Sequence, residues 1–378
     1  MVSINGRNFT IPGVMFLDLS LTENQLQEGA RAILKRIRPK WKYDAIKFKI
    51  FTVGITNKLI GCYQQHDCDM NDCILIRIYG KKTEMFVDRE LELLAIYVLN
   101  MAKCSASLYA KFNNGIAYGF LPGRCVNAET TRDPEIGRLI AEEMVKFSFI
   151  DPSKYGKGLS EDSLVVLDRL NNRKPVTFKY INRFLDIFPE SFPDPKRNER
   201  FHIIIPSVYE LKEEVQQLAL KLNDLGSPTV FSHNDLLLNN IVYDEKKECC
   251  YFIDYEYAGF NYQAFDIGNH FCEWAGVEEL DYDRYPDKPT QLRWLRHYLK
   301  AYKKRRGDPN VMPTDDELEA LYVQVNQFSL ASHLMWGVWA IVQARYSTID
   351  FDFLEYSKLR LDQYYKTKEE FLSLTMPE

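Results

Sequence analysis

A polar loop set between two apolar stretches constrains this chain more than any other feature. Phe231-Ser-His-Asn-Asp-Leu-Leu-Leu-Asn-Asn-Ile-Val242 places His233, Asp235 and Asn240 in one short run. Ile241-Val-Tyr243, the polar Asp244-Glu-Lys-Lys-Glu248 and Cys249-Cys-Tyr-Phe-Ile253 then read as strand, turn and strand. A hairpin returns the chain to its start, so Asp254, closing the second strand, comes back beside Asp235 and Asn240. His-Asn-Asp alone would be an ordinary polar turn. An acid closing an apolar strand at this distance is a stronger signal.

The layout suits phosphoryl transfer to a hydroxyl. One carboxylate takes the hydroxyl proton, while an amide and a second carboxylate hold Mg²⁺ against nucleotide phosphates. The order His-x-Asp-x-x-x-x-Asn, then Asp, resembles the protein-kinase catalytic loop and metal-binding Asp, with Asp254-Tyr-Glu256 in place of Asp-Phe-Gly.

At 378 residues, 46% hydrophobic and 13% aromatic, the chain is long and apolar enough for a large folded core in two lobes. A net charge of −5 gives no case for nucleic acid or an acidic membrane surface as partner. The eight cysteines form no Cys-x-x-Cys pair and read as reduced thiols of a cytoplasmic protein. The first residues, Met1 to Arg7, lack the apolar core of a signal peptide. The most apolar segment, Phe328 to Ala344, contains His333 and Gln343 and reads as a buried helix, not a membrane span.

Ser20-Leu-Thr-Glu23 predicts a capping box for a helix carrying Leu26, Ala30, Ile33, Leu34 and Ile37 on one face. Ile46, Phe48 and Ile50 alternate with lysines as a half-buried strand. Lys58 to Gln65 and Cys73 to Tyr79 follow as strands, then a helix near 85–101 and two strands around Asn113-Asn-Gly115. This order predicts an α+β, two-lobed, protein-kinase-like fold. Residues 1–120 are assigned to an N-lobe with a five-stranded antiparallel sheet, and 121–378 to a mainly helical C-lobe. Leu211, Val215, Leu218, Leu222 and Leu225 mark a packed helix ending at Gly226-Ser-Pro228. Segments 151–200 and 280–316, rich in Pro, Asp, Lys and Arg, are assigned to surface loops and short helices.

Ile253-Asp-Tyr-Glu-Tyr-Ala-Gly-Phe-Asn-Tyr-Gln-Ala-Phe-Asp-Ile-Gly-Asn-His-Phe-Cys-Glu-Trp274 resembles the choline/ethanolamine kinase family, more weakly from about Val53 to Tyr356. The resemblance implies ATP-dependent, Mg²⁺-dependent phosphorylation of a small amino alcohol. His233-Asn-Asp-Leu-Leu237 and Trp274-Ala-Gly276 look more like the ethanolamine branch. That implies phosphoethanolamine made for the CDP-ethanolamine route to phosphatidylethanolamine. The alternatives are a choline kinase, more remotely an aminoglycoside-type phosphotransferase, or a kinase-like binding module without activity. The partners implied are ATP and the amino alcohol. A homodimer is left open.

By that resemblance, Asp235 is the catalytic Asp that orients the hydroxyl and takes its proton, and Asn240 and Asp254 are the Mg²⁺ ligands. His233 is expected to prop the loop, and Glu256 to be either a supporting group or a solvated acid. Gly54, Ile55, Thr56, Asn57 and Lys58 cover the nucleotide phosphates, and Leu237 joins the nucleotide-binding set. Arg77 takes the place of the phosphate-gripping kinase lysine and pairs with Glu92, or failing that Glu90. Glu273 is the ammonium-facing carboxylate, with Trp336, Trp339 and Tyr356 around it, since ring faces and carboxylates hold cations. Trp336 and Trp339, three apart on a helix, share a face. Asp266 is expected to cap its helix and brace the loop. Gly119 replaces a polar side chain at the adenine-facing hinge, leaving backbone groups to read the base. Ser148 stands where relatives often carry His, and Glu278 where choline kinases carry a pocket Tyr.

Overall fold

The structure, a computed structural model, describes residues 9–22, 25–51, 58–64, 70, 72–80, 86–277 and 279–377. Its N-terminal part runs β1 (Met15–Leu17), α1 (Leu26–Ile37), β2 (Ile46–Phe51), β3 (Lys58–Gln64), β4 (Ile74–Ile78), α2 (Arg89–Met101), β5 (Leu108–Phe112) and β6 (Gly115–Gly119). These strands form one sheet in the order β1-β5-β6-β4-β3-β2. It has six strands, not the five expected. The addition is β1, which pairs parallel to β5 with Met15 opposite Ala110. Three residues are too few to show an alternation in sequence.

Strand β4 is central and fully buried. Successive side chains point to opposite faces. Ile74, Ile76 and Ile78 therefore enter a small core with Ala30, Ile33 and Leu34 of α1, and Arg77 points the other way, towards α2. At the sheet's edge β2 is less covered than its alternation suggests, and Ile50 is exposed. Helix α1 begins behind Gln25 with no side-chain cap, so Ser20 does not cap it, and Glu23 lies outside the described residues. Asp88 caps α2 by accepting the Leu91 N–H at 3.2 Å.

The second part runs β7 (Arg124–Cys125), α3 (Pro134–Ser148), α4 (Glu161–Leu170), α5 (Thr177–Asp186), α6 (Pro195–Ile204), α7 (Val208–Asn223), β8 (Thr229–Ser232), β9 (Ile241–Asp244), β10 (Cys249–Phe252), β11 (Gly259–Tyr262), α8 (Gln263–Cys272), α9 (Lys288–Arg306), α10 (Asp315–Tyr346) and α11 (Phe353–Leu372). The expected hairpin is β9–β10, with Cys249 opposite Asp244 and Phe252 opposite Ile241. Strand β7 adds to its other side. There Gly123 passes so close that a Cβ would lie 2.5 Å from the Tyr243 carbonyl oxygen, at a φ of 144°. Only glycine meets both demands.

Segment 280–316 is not mainly loop. It holds the 19-residue α9, which buries Gln291, Trp294, Leu295 and Tyr298. That spacing is one helical face, obscured in sequence by the lysines and arginines around it. Helix α10, 32 residues long with a Thr314/Glu317 capping box, contains the apolar segment 328–344. It packs against α8 at Gly268, where a Cβ would meet the Val325 carbonyl oxygen at 2.7 Å. No helix among the described residues is long and apolar enough to cross a membrane. The cysteines among those residues are free thiols.

Candidate active site

Strand β8 pairs with β11, Ser232 opposite Gly259, and delivers the chain into His233-Asn234-Asp235. Asn234 sits at a φ of 69°, a left-handed conformation that asparagine tolerates. Its amide donates to the carbonyls of Tyr257, at 2.9 Å, and Gly259, and its Oδ1 accepts from Asn261 at 2.7 Å. Asn261 in turn accepts the Thr177 hydroxyl. Asp266 accepts the backbone N–H groups of His233 and Asn234 at 3.1 and 2.7 Å. Burial nonetheless pushes its carboxyl up to about 6. It braces the loop as expected but does not cap α8, whose N-cap Tyr262 makes no side-chain capping bond.

His233 props the same loop. Its Nε2 donates to the Ile253 carbonyl at 2.9 Å, and its Nδ1 accepts the Asp235 N–H at 3.3 Å. With both nitrogens committed and burial pushing its pKa down to about 4, it is not placed to shuttle protons.

Asn240 donates its Nδ2 to the Asp235 carbonyl at 2.9 Å, and its own carbonyl accepts the Ile253 N–H. The hairpin therefore brings Asp254 back to Asp235 and Asn240. Asp254 is held at a φ of 63°, an uncommon conformation of the kind that gathers at functional sites. The Asp235 carboxyl lies well above the usual carboxylate range, first through burial and then through the charges of Asp254, Glu273 and Glu256.

Arg77 crosses from β4 to this acidic point. Its Nη1 donates to Asp254 Oδ1 at 2.9 Å and its Nη2 pairs with Glu92. Of the two acids considered for it, Glu92 is the partner. Burial works against the Arg77 charge, but Asp254 and its other neighbours more than offset this and keep it protonated. Arg89 links Glu92, at 2.8 Å, to Glu256, at 3.2 Å, and lies over the Tyr79 ring. Glu256 is thus a buried supporting group, not a solvated acid. Burial and Asp254 push its carboxyl up to about 7.

On the other side of Asp235, Glu273 opens the turn after α8, and Arg360 donates to its Oε1 at 2.7 Å. Its Oε2 is buried without a hydrogen-bond partner. The Trp336 and Trp339 rings meet edge to face at 5.6 Å, and Tyr257 packs edge-on to Trp336 at 5.3 Å. Tyr356 lies in the same neighbourhood, its hydroxyl 3.5 Å from Arg360. Sequence reasoning missed Arg89, Tyr257, Asn269 and Arg360. Tyr257, close behind Asp254, could have been found as another aromatic in a cation pocket. Arg360, between two leucines, carries no such signal.

Gly54, Ile55, Thr56 and Asn57 lie outside the described residues, as does Glu278, and Lys58 opens β3. Leu237 is half-buried, its N–H on the Asp235 carbonyl. Gly119 ends β6, with its N–H given to Ser107 at 2.9 Å, so that amide is not available to a base. Ser148 bonds the Tyr298 hydroxyl at 2.9 Å.

Oxygen donors suit a hard cation. With its amide nitrogen on a backbone carbonyl, Asn240 has its side-chain oxygen left to offer. Asp254 Oδ2 is left likewise, and the carboxylate oxygens of Glu92, Asp254 and Glu256 lie within 4.8 Å of one another. The donor set fits Mg²⁺.

The choline/ethanolamine kinase family model matches residues 48–365. The chain belongs to the choline/ethanolamine kinase family. This family member is 44% identical over 356 residues to ethanolamine kinase 1 of Homo sapiens, covering 94% of this chain and 75% of that protein. It is 43% identical over 370 residues to ethanolamine kinase 1 of Mus musculus, covering 97% of each. A solved Plasmodium vivax ethanolamine kinase superposes with a TM-score of 0.74 at 27% identity, over 91% of this chain and 89% of that one. A Cryptosporidium parvum choline kinase superposes with a TM-score of 0.71 at 25% identity, over 91% and 96%. The fold is the two-lobed, protein-kinase-like α+β architecture of these kinases.

Proposed function

We propose that this kinase transfers the γ-phosphoryl group of ATP to the hydroxyl of ethanolamine, giving phosphoethanolamine and ADP. The observation that carries the reading is the gathering of Asp254, Glu256 and Glu273 near enough to the buried Asp235 to add their charges to burial in pushing its carboxyl up. Such a surplus of acid is unfavourable unless cations answer it. Arg77 and Arg89 answer part of it on one side. On the other side Arg360 meets Glu273 Oε1, and Oε2, buried without a hydrogen-bond partner, is the acceptor we assign to a substrate cation.

In this reading Asp235 orients the hydroxyl and accepts its proton, a task favoured by surroundings that raise its proton affinity. Arg77 meets the phosphates from β4, and Glu92 holds it there. Asn240 and Asp254 would hold Mg²⁺, which supplies charge neutralisation on the phosphates when bound. Glu273 receives the ammonium, with Trp336, Trp339, Tyr257 and Tyr356 as its apolar walls.

The test is a parallel assay of ethanolamine, its mono- and dimethyl forms and choline. A carboxylate that accepts N–H hydrogen bonds predicts stepwise loss of kcat/KM with each methyl. Choline turned over as well as or better than ethanolamine would defeat the reading. It would favour choline kinase, the second reading that the aromatic walls support.

A further inference from the structure

We propose that Arg360 is the positioning residue of the amino alcohol pocket, fixing Glu273, Tyr356 and Trp336 in the arrangement that receives the ammonium without itself touching substrate. The inference rests on the pocket assignment above. Arg360 lies on α11 between Leu359 and Leu361 and is 0% exposed. Its Nη1 donates to Glu273 Oε1 at 2.7 Å and to the Tyr356 hydroxyl at 3.5 Å. Its Nη2 donates to Ser332 Oγ at 3.0 Å. Ser332 passes the contact on to Asn269 Oδ1 at 2.8 Å, and the same oxygen accepts the Trp336 indole N–H at 2.7 Å. One guanidinium therefore stands behind groups from α10, α11 and the turn after α8.

A planar guanidinium fork fixes directions as well as charge, which an ammonium does not. By taking Oε1, Arg360 anchors one oxygen of the Glu273 carboxylate and leaves Oε2 as the other. That oxygen is buried and has no hydrogen-bond partner. A buried acceptor left unmet is costly, so its presence points to a donor that arrives with the ligand. The Nη atoms of Arg360 are directed at Oε1, Tyr356 and Ser332, and its Nε is itself buried without a hydrogen-bond partner. A buried ion pair adds little net stability, so a role in geometry accounts better for its presence than one in folding.

The experiment is a kinetic cycle on wild type, Arg360→Lys, Arg360→Met, Glu273→Gln and the Arg360→Met/Glu273→Gln double variant. It is run with whichever amino alcohol wild type turns over best. A wrong substrate assignment then shows in wild type, and a wrong role for Arg360 shows in the cycle. Arg360→Met should raise the amino alcohol KM roughly 10–100-fold, as loss of an outer supporting contact does. The ATP KM should stay within about twofold. Arg360→Lys should recover only part of the loss. Because the arginine acts mainly through Glu273, adding Arg360→Met to Glu273→Gln should raise KM by no more than about threefold further. Fully multiplicative effects would overturn the proposal, as would an ATP KM that rises in parallel. If Arg360→Met does not fold, Arg360→Lys decides, and an amino alcohol KM equal to wild type's would overturn the assignment.

Discussion

The two sides of Asp235 are built from the same pair of residue types to different ends. On one side Arg77 pairs with Glu92 and reaches out to Asp254, whose side chain is 32% exposed. On the other, Arg360 pairs with Glu273, and both side chains are almost wholly buried. The first arrangement leaves its arginine beside an open, partly wet acid, where an arriving anion and its metal can rearrange the contacts. The second buries arginine and acid alike and leaves a carboxylate oxygen without a hydrogen-bond partner. We read the first as the nucleotide side and the second as the amino alcohol side. An anion is met beside a partly exposed acid. A small cation is met by a carboxylate held among buried groups.

The strongest way to break that comparison is Asp235→Ala, which removes the group both sides share. Turnover should fall about 10²–10⁴-fold, the range for losing a positioned proton acceptor. ATP binding, measured by titration calorimetry, should persist. Loss of ATP binding together with turnover would mean that Asp235 belongs to the nucleotide side alone.

Next is Arg77→Met. It leaves Glu92, whose side chain is fully buried, with Arg89 at 2.8 Å as its remaining cation among the described residues. Removing one partner of a buried pair costs about 3 kcal/mol or more, visible as a lower urea midpoint. The ATP KM should rise and the amino alcohol KM should stay near wild type's. A rise in both would blur the two sides into one.

A pH effect separates the scaffold from both sides. His233 and His270 are buried and neutral, each with its pKa pushed down to about 4. His270 accepts the Trp274 indole N–H on Nε2, so protonation there sets two donors against each other. A folded pKa below the unfolded value means stability is full above about 6.5 and is lost as pH falls towards 4. At pH 5 each histidine should have lost on the order of 2 kcal/mol. Asp266 acts in the opposite sense: its folded pKa is raised to about 6, so its protonation returns about 1 kcal/mol over the same interval. Urea midpoints at pH 7 and 5 should therefore fall less in His270→Gln than in wild type. An equal fall would assign the acid sensitivity elsewhere.

The loop and hairpin that bring Asp235, Asn240 and Asp254 together were readable in sequence because they are local. A turn of known reach and a strand of alternating residues fix where each side chain returns. The Arg77–Glu92 pair was readable only through the family resemblance, because a mid-strand arginine says nothing about which helix crosses it. Arg360 was not readable at all, since its partners, just after α8 and on α10, meet it only when three helices pack. Helix α9 shows the opposite failure. Its buried face was written in Trp294, Leu295 and Tyr298, but basic residues dominate the composition. The three residues of β1 pair by position, with too little pattern to betray them.

The smallest effect tests whether the end of β6 takes part on the nucleotide side. An added Cβ at Gly119 would find Ala106 Cβ at 3.5 Å, Ser107 N at 3.6 Å and the Tyr109 hydroxyl at 3.6 Å, which are ordinary contacts. Its N–H is already bonded to Ser107, and alanine would keep that bond. Gly119→Ala should thus leave the folded state unstrained and restrict the unfolded chain, stabilising the protein by about 0.4–1 kcal/mol. If the base is read by backbone alone, the ATP KM should change by less than about twofold, a loss of one methyl-sized contact at most. A rise several times larger for ATP, with the amino alcohol KM unmoved, would show that the base lies directly on the Gly119 Cα. Glycine would then be required there by close approach, and the strand end would join Arg77 as part of the nucleotide side.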